Sequence, residues 1–541
     1  MDKSRNLADV LIIGGGTSGG VAGKHLAEAG FHVVCLEQGT WVNPSDMPGN
    51  RPEYELLGAK QWSPNPNVRG SQYDYPINDS DADTQMWMYS AVGGTSLIWA
   101  GCWIRALPSD FRVRTLDGVA DDWPITYEEL SPYYDAVARE IGAAVLPGNT
   151  AYPANTSPAP MTAHSINKTG RKVAEGMNRL GWHWWPGCNG IATREYGSLK
   201  QCQRLGVCRM GCPENAKGTT DVTHWPIAMK HGAEVITRAR VSRITVDEKG
   251  RANGAVYIQD GKEHFQPASV VVLAANGVGT PRILLMSQSS RFPEGLANSS
   301  GLVGKRLMTH PYGTSVGIYD DPLDDWLGPN GEQIQSMQFY ETDTSRGFVR
   351  GAKWHTMPMT GPLAMIGRVR GENPLSSDLW GSEFCKKMED SCNHMVEWVI
   401  MPEDLPEETN YVALDPQLKD SDGLPAPKIH YYQSENTRRL VDFNLQRSIE
   451  CHLAAGATKA WVTNRGNPSG HIIGTTKMGN DPKTSVVDKF GRTHDVPNLY
   501  IVDASVFTTA TAANITATTL ALAKRTATYL VKHARGQEVG A

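Results

Sequence analysis

The stretch that decides the fold is residues 10–37, VLIIGGGTSGGVAGKHLAEAGFHVVCLE. It opens with four apolar residues, which is typical of a strand buried on both faces. The motif Gly14-x-Gly16-x-x-Gly19 follows and opens a helical segment, and a second apolar run then ends at Glu37. This order of strand, glycine turn, helix and strand predicts a Rossmann-like unit that binds a dinucleotide.

Each part of this unit has a chemical reason. Glycines at 14 and 16 allow a tight turn and a close approach of backbone to a pyrophosphate. Thr17 and Ser18 lie in the glycine turn before a helix predicted over residues 21–29, whose N-terminus supplies positive potential. Glu37 is placed to accept hydrogen bonds from an adenosine ribose. The motif does not distinguish NAD from FAD, and an ordinary glycine-rich turn is the alternative to a dinucleotide site.

The composition is that of a large globular protein. The chain has 541 residues, of which 40% are hydrophobic and 20% charged, which excludes a minimal domain and a disordered chain. The net charge of −5 argues against nucleic acid or an anionic membrane as a partner bound by general charge. No stretch approaches the roughly 20 apolar residues of a membrane span.

Because the start of the sequence carries no visible export signal, we expect a cytoplasmic protein, with partner-assisted export to the periplasm as the alternative.

The rest of the chain predicts further sheet structure. Apolar runs at 234–236, 241–246, 255–258 and 269–273 predict a second group of strands, and residues 498–503 predict another buried strand. Alternating segments between 312 and 461 predict an antiparallel sheet that carries the substrate side of a pocket. We therefore expect an α/β fold. A Rossmann-like domain would be built from discontinuous residues 1–312 and 468–541, with insertions near 41–90 and 147–220, and residues 313–467 would form the substrate domain.

Several motifs, in order along the chain, resemble those of one enzyme family. They are residues 93–96 (GGTS), 273–277 (LAANG), 310–311 (HP), 471–479 (HIIGTTKMG), 498–505 (NLYIVDAS) and 513–516 (ANIT). Together with the glycine turn after residue 13, they resemble the glucose–methanol–choline (GMC) flavin oxidoreductases. The resemblance extends from residue 10 to about residue 530, and it implies FAD as the cofactor.

The resemblance also implies roles for particular residues. His471 would be the base that removes the hydroxyl proton while a hydride passes to the flavin, a task that suits a group with a near-neutral pKa. Asn514 would hold the substrate oxygen. The alternative role for His471 is that of a structural histidine, and the alternative role for Asn514 is that of a helix N-cap. The remaining FAD contacts implied are Gly94, Thr95, Val241, Asp503 and Thr516.

Within the family, the chain looks most similar to bacterial dehydrogenases of glucose, fructose and gluconate and to the pyranose oxidase branch, because Trp99 matches their tryptophan. These branches often carry a histidine just before that tryptophan, which in pyranose oxidase bonds covalently to the flavin. Ile98 stands there, so we expect non-covalent FAD. The expected reaction is oxidation of a hydroxyl of a sugar or glycoside to the carbonyl. The alternatives are an O₂-dependent oxidase of an aryl or natural-product alcohol, and a non-catalytic flavin-fold binding or assembly subunit.

Three of the nine cysteines lie close together as Cys202-x5-Cys208-x3-Cys212. Local cysteine runs of this kind can ligate iron–sulfur clusters. The spacing resembles that of FAD glucose and fructose dehydrogenases, whose three cysteines carry a 3Fe-4S cluster. That cluster relays electrons to a cytochrome, so a cytochrome or a small accessory subunit is a possible partner. A structural thiol loop and a zinc site, which would need a fourth ligand, are the alternatives.

Overall fold

The computed structural model describes residues 6–153, 157–359, 361–372, 380–467 and 470–534. The strands are β1 (Ala8–Ile13), β2 (Val33–Leu36), β3 (Asn78–Ala82), β4 (Trp185–Pro186), β5 (Glu234–Ile236), β6 (Arg240–Val246), β7 (Ala252–Gln259), β8 (Lys262–Leu273), β9 (Tyr312–Ile318), β10 (Ile334–Phe339), β11 (Ala352–Met357), β12 (Met395–Pro402), β13 (Tyr411–Lys419), β14 (Pro425–Tyr431), β15 (Lys459–Asn467) and β16 (Leu499–Ile501). The helices are α1 (Thr17–Glu28), α2 (Tyr54–Gly58), α3 (Pro66–Arg69), α4 (Val113–Asp117), α5 (Tyr127–Ile141), α6 (Lys168–Leu180), α7 (Thr220–Thr223), α8 (Trp225–Lys230), α9 (Asn276–Met286), α10 (Pro362–Glu372), α11 (Gly381–Ser391), α12 (Glu435–Ala454) and α13 (Thr516–Ala534).

A seven-stranded sheet has the order β5-β2-β1-β8-β7-β6, with β16 also paired to β8. Strands β5, β2, β1, β8 and β16 run parallel. Ile13 pairs with Leu36 on one side and Leu273 on the other, and Leu273 also pairs with Ile501. The carboxyl ends of four strands therefore meet at one edge, where open α/β sheets bind their ligands.

The hairpins after β5 join this same sheet and do not form a second one. The first half of β8, Lys262–Pro267, pairs antiparallel with β7. Its second half, from Ala268 to Leu273, pairs parallel with β1. One long strand thus continues the parallel sheet into an antiparallel hairpin.

The antiparallel sheet predicted from the alternating segments is confirmed. Its order is β15-β9-β12-β11-β10-β4. Every residue of β12 is buried, because the sheet is covered on both faces. Trp398 and Ile400 pack with residues of α12, whereas Glu397 and Val399 line a large cavity. The two-residue period of the strand thus directs alternate side chains to core and cavity.

The two sheets are joined by further contacts. Strand β4 comes from the N-terminal part of the chain but pairs with β10. The buried guanidinium of Arg350 donates to Asp110 (2.7 Å), Asp117 (3.0 Å) and Glu403 (2.8 Å).

The predicted domain boundaries stay a prediction, and residues 468–469, where the last boundary falls, lie outside the described residues. Within the described part of the chain, each helix is too short or too polar to cross a bilayer.

Candidate active site

A cavity of about 800 Å³ lies between the carboxyl edge of the parallel sheet and the inner face of the antiparallel sheet. This volume is within the usual range of small-molecule and cofactor sites. The structure brings most of the predicted site residues to its wall: Gly14, Gly16, Thr17, Ser18, Glu37, Gly94, Thr95, Val241, His471, Asp503, Asn514 and Thr516.

Two glycine turns face each other at one end of the cavity. A Cβ built on Gly94, whose φ is +55°, would lie 2.8 Å from the Cα of Gly16. Gly14 has φ +104°, and a Cβ there would lie 2.5 Å from the carbonyl oxygen of Ala274. Gly19 is not part of the wall, since its α-carbon packs α1 against the Gly14 carbonyl, where a Cβ would lie 2.1 Å away. The bare backbone of both turns fits a pyrophosphate.

Glu37 is held at the end of β2, beside the first turn. Its buried carboxylate accepts hydrogen bonds from the backbone N–H of Gly15 (2.7 Å) and Gly39 (2.8 Å). Burial raises the pKa of Glu37 to about 7, and these two hydrogen bonds oppose the shift. Each carboxylate oxygen keeps a further lone pair, so the group fits the hydroxyls of a ribose.

His471 belongs to a hydrogen-bonded chain that determines its tautomer. Nδ1 of His310 lies 2.7 Å from Nδ1 of His471, and Nε2 of His310 lies 2.6 Å from the carbonyl oxygen of Thr511. A carbonyl only accepts, so His310 carries its proton on Nε2 and accepts at Nδ1. His471 then donates from Nδ1, and its lone pair is on Nε2. Burial and the neighbouring His310 hold the pKa of His471 well below 6.5.

Asn514 precedes α13 but does not cap it, because the helix begins at Thr516. Its Oδ1 instead accepts a hydrogen bond of 2.6 Å from Nζ of Lys353, a fully buried residue of β11. Lys353 also forms an ion pair with buried Glu332. Lys353 is not among the residues predicted for the site from the sequence. Polar residues at alternate positions of a strand, here Lys353 and His355, are the signal that could have found it.

One group of side chains could in principle ligate a metal. Ligand atoms of Cys102, Glu332 and His355 all lie within 4.8 Å of one another. The ammonium of Lys353 contacts Glu332 and already supplies a positive charge there, so this group has no need of a cation for charge balance.

The three clustered cysteines lie beside the cavity and not in its wall, although Arg209 and Met210 between them do line it. Sulfurs of a tetrahedral zinc site lie about 3.8 Å apart, and the three thiols do not form such a group among the described residues. Sγ of Cys202 accepts the backbone N–H of Arg204, and Sγ of Cys212 accepts that of Ala216, each at 3.3 Å.

Lys217 ties this cysteine loop to the second glycine turn. Its buried ammonium donates to the backbone carbonyls of Cys208 (2.6 Å), Leu97 (2.8 Å) and Trp99 (3.0 Å). The turn at 94–97 and the loop at 202–212 are therefore one connected structure.

Comparison with known proteins gives a consistent result. Residues 8–312 and 406–523 match the two family models described as GMC oxidoreductase. The chain is 38% identical to 2-methyl-1,2-propanediol dehydrogenase of Mycolicibacterium austroafricanum, over 98% of this chain and 96% of that one. It is 31% identical to the fructose dehydrogenase large subunit of Gluconobacter japonicus, over 96% and 97%.

The fold agrees with these sequence matches. The crystal structure of pyridoxine 4-oxidase from Mesorbium loti superposes with a TM-score of 0.66 at 16% identity, covering 96% of this chain and 99% of that one. The glycine turns, Glu37 and the His471–Asn514 wall lie in a chain that the family models match over most of its length. The chain therefore belongs to the GMC oxidoreductase family, and it is an FAD-dependent oxidoreductase that acts on CH–OH donors.

Proposed function

We propose that this enzyme oxidises a hydroxyl of a small polyhydroxylated substrate, a diol or a sugar, to the carbonyl. The observation that carries the proposal is that His471 and Asn514 share one cavity with both glycine turns. The names of the two relatives, a diol dehydrogenase and a fructose dehydrogenase large subunit, support the substrate class.

Three side chains, His471, His310 and Asn514, would have separate roles in the reaction. Nε2 of His471 accepts the hydroxyl proton, a contribution of roughly 10²–10⁴-fold for a general base. His310 keeps the lone pair of His471 on Nε2, and Asn514 holds the substrate oxygen. The glycine turns and Glu37 would hold FAD, which would supply the hydride acceptor.

The antiparallel side of the cavity suits a substrate with more than one hydroxyl. Its wall includes Thr314, Thr463, Asn464 and the paired side chains of Arg368 and Glu397, which form a 2.9 Å hydrogen bond. Hydroxyls can donate to and accept from these groups, and a few placed polar groups in an otherwise apolar wall give orientation and specificity.

We also propose that FAD is bound non-covalently. Ile98 lines the cavity and offers no nucleophile. Cys102 lines it too, but burial raises the pKa of its thiol, and a protonated thiol is a poor nucleophile. The measurement is acid precipitation, which should release all flavin as free FAD and leave a colourless pellet.

We propose that an iron–sulfur cluster on Cys202, Cys208 and Cys212 takes the electrons from the reduced flavin. This cluster would pass single electrons to a cytochrome or an accessory subunit. The N–H···S hydrogen bonds to Cys202 and Cys212 are contacts of the kind that tune such clusters. The similarity to a fructose dehydrogenase large subunit supports a partner subunit.

The test of the reaction is flavin bleaching. Purified holoenzyme is mixed anaerobically with 2-methyl-1,2-propanediol, fructose, gluconate or benzyl alcohol, and the flavin absorbance is followed. We expect at least one of the polyhydroxylated compounds to bleach the flavin faster than benzyl alcohol does. Bleaching by benzyl alcohol alone would contradict the substrate class, and no bleaching by any alcohol would contradict the reaction.

A further inference from the structure

Lys353 is a charged residue in the interior of the protein, next to the proposed site. It lies on β11, and its side chain is 0% exposed. Its Nζ contacts two side chains, the carboxylate of Glu332 and Oδ1 of Asn514, the latter at 2.6 Å. Asn514 lines the cavity together with His471, so one buried ammonium connects a buried acid to the site.

The chemistry of the ammonium decides how the Asn514 amide is turned. An amide has an accepting oxygen and a donating NH₂ of nearly equal size, and either could face a ligand. An ammonium has three donors and no acceptor, so only the amide oxygen can face Lys353. The NH₂ group then lies on the opposite edge of the amide.

We propose that Lys353 is a positioning residue, which turns the Asn514 amide so that its Nδ2–H₂ group donates to the substrate oxygen. This inference rests on the proposed function. Lys353 does not touch the substrate in this proposal, and it acts through Asn514.

The orientation matters because the substrate oxygen changes during the reaction. Its proton goes to Nε2 of His471, so the oxygen gains electron density while the carbonyl forms. A donor aimed at that oxygen stabilises the change, and removing one such donor typically costs roughly 10²–10³-fold in rate. With the amide reversed, Oδ1 would instead repel the oxygen. The site as arranged offers one acceptor, His471, and one donor, Asn514, which complements an alcohol being oxidised.

The test compares two residues of similar size and equal charge at position 353. Removing the ammonium alone would leave Glu332 as an unpaired buried charge, so both variants carry Glu332→Gln. In that background, Lys353→Gln keeps an N–H donor within reach of Asn514, whereas Lys353→Met removes it. The rate constant of anaerobic flavin reduction by 2-methyl-1,2-propanediol is measured for both, with FAD content as the folding control.

We expect the Met variant to be at least about tenfold slower than the Gln variant, a fraction of what loss of the donor itself would cost. A second readout needs no turnover. The carboxylate of 2-hydroxyisobutyrate only accepts hydrogen bonds, so its dissociation constant, measured by perturbation of the flavin spectrum, should be higher in the Met variant. Equal rates and equal dissociation constants in the two variants would overturn the proposal.

Asn514→Ala separates failure of this inference from failure of the proposed function. If Lys353 acts through Asn514, the difference between Met and Gln at position 353 should fall to less than about twofold when Asn514 is Ala. The same difference in both backgrounds would overturn the inference. If Asn514→Ala alone leaves the reduction rate unchanged, the proposed role of Asn514 itself is wrong.

Discussion

At the scale of single residues, the site depends on which nitrogen of His471 carries a proton. The Thr511 carbonyl fixes the proton of His310, and His310 in turn fixes that of His471. The tautomer matters because a histidine base must present its lone pair to the hydroxyl before the reaction begins.

Replacing His471 by Ala should lower the rate of flavin reduction by roughly 10²–10⁴-fold, the usual contribution of a general base. FAD should remain bound, because the glycine turns and Glu37 are untouched. Stopped-flow reduction and FAD content measure the two effects. His231→Ala, at an exposed position, is the control. A wild-type reduction rate in the His471 variant near neutral pH would show that another group is the base.

The pH dependence should also reflect burial. His471 must be neutral to accept a proton, and its pKa lies well below 6.5 because of desolvation and the nearby His310. We therefore expect the reduction rate to stay level as the pH falls from about 8 to 6.5 and to decline only at lower pH. A pH series of anaerobic reductions measures this, and a half-maximal rate at or above pH 6.5 would contradict it.

At the scale of elements, the cofactor end of the cavity depends on the contact between the two glycine turns. Gly94→Ala places a Cβ against the backbone of Gly16, which cannot move aside as a flexible side chain can. We expect FAD affinity to fall roughly tenfold or more, which corresponds to about 1.4 kcal/mol.

Gly70→Ala is the matched control for this change. Gly70 has φ +57°, close to the +55° of Gly94, but a Cβ there meets nothing within 4 Å. Both variants carry the same backbone strain of about 1–2 kcal/mol, and only one disturbs the turn. FAD dissociation constants that are equal in the two variants would contradict the role given to the contact.

The cysteine loop gives a prediction of its own. Wild-type protein purified anaerobically should contain iron and acid-labile sulfide, and Cys208→Ser should lose them. Flavin reduction by substrate should be nearly intact in this variant, because the proton transfer at His471 does not use the loop, whereas transfer to an external dye should slow. Cys385→Ser, at an exposed position, should behave as wild type. Wild-type protein without iron would favour a structural thiol loop.

The elements show which parts of the site are readable from sequence. The turn at 14–19 and the motif around His471 are local patterns, so their residues could be placed from the amino-acid order alone. The ion pair between Lys353 and Glu332 could not be found this way, since it joins β11 to a loop and depends on tertiary burial. The sequence also does not show that the two halves of β8 pair with different strands, β7 and β1, because the partners of a strand depend on the tertiary fold.

At the scale of the whole molecule, Arg350 joins segments that are far apart in sequence. Arg350→Met would leave Asp110, Asp117 and Glu403 buried without their common cation, and breaking a buried pair in this way costs about 3–5 kcal/mol. Urea unfolding measures the loss. Arg243→Met breaks only the exposed pair with Glu263 and should cost less than about 1 kcal/mol. Similar losses for both variants would contradict the importance of the cluster.

The parallel sheet also has a consequence for how the protein is made. Gly14 and Asp503, which line the same cavity, are separated by 489 positions. At roughly 5–20 residues per second, a ribosome needs roughly 25–100 s to travel from one to the other. During that time the edge of β8 that later pairs with β16 has no strand beside it, and such an edge invites pairing with other chains. We therefore expect the part of the cavity wall that includes Asp503 to be completed only near the end of translation.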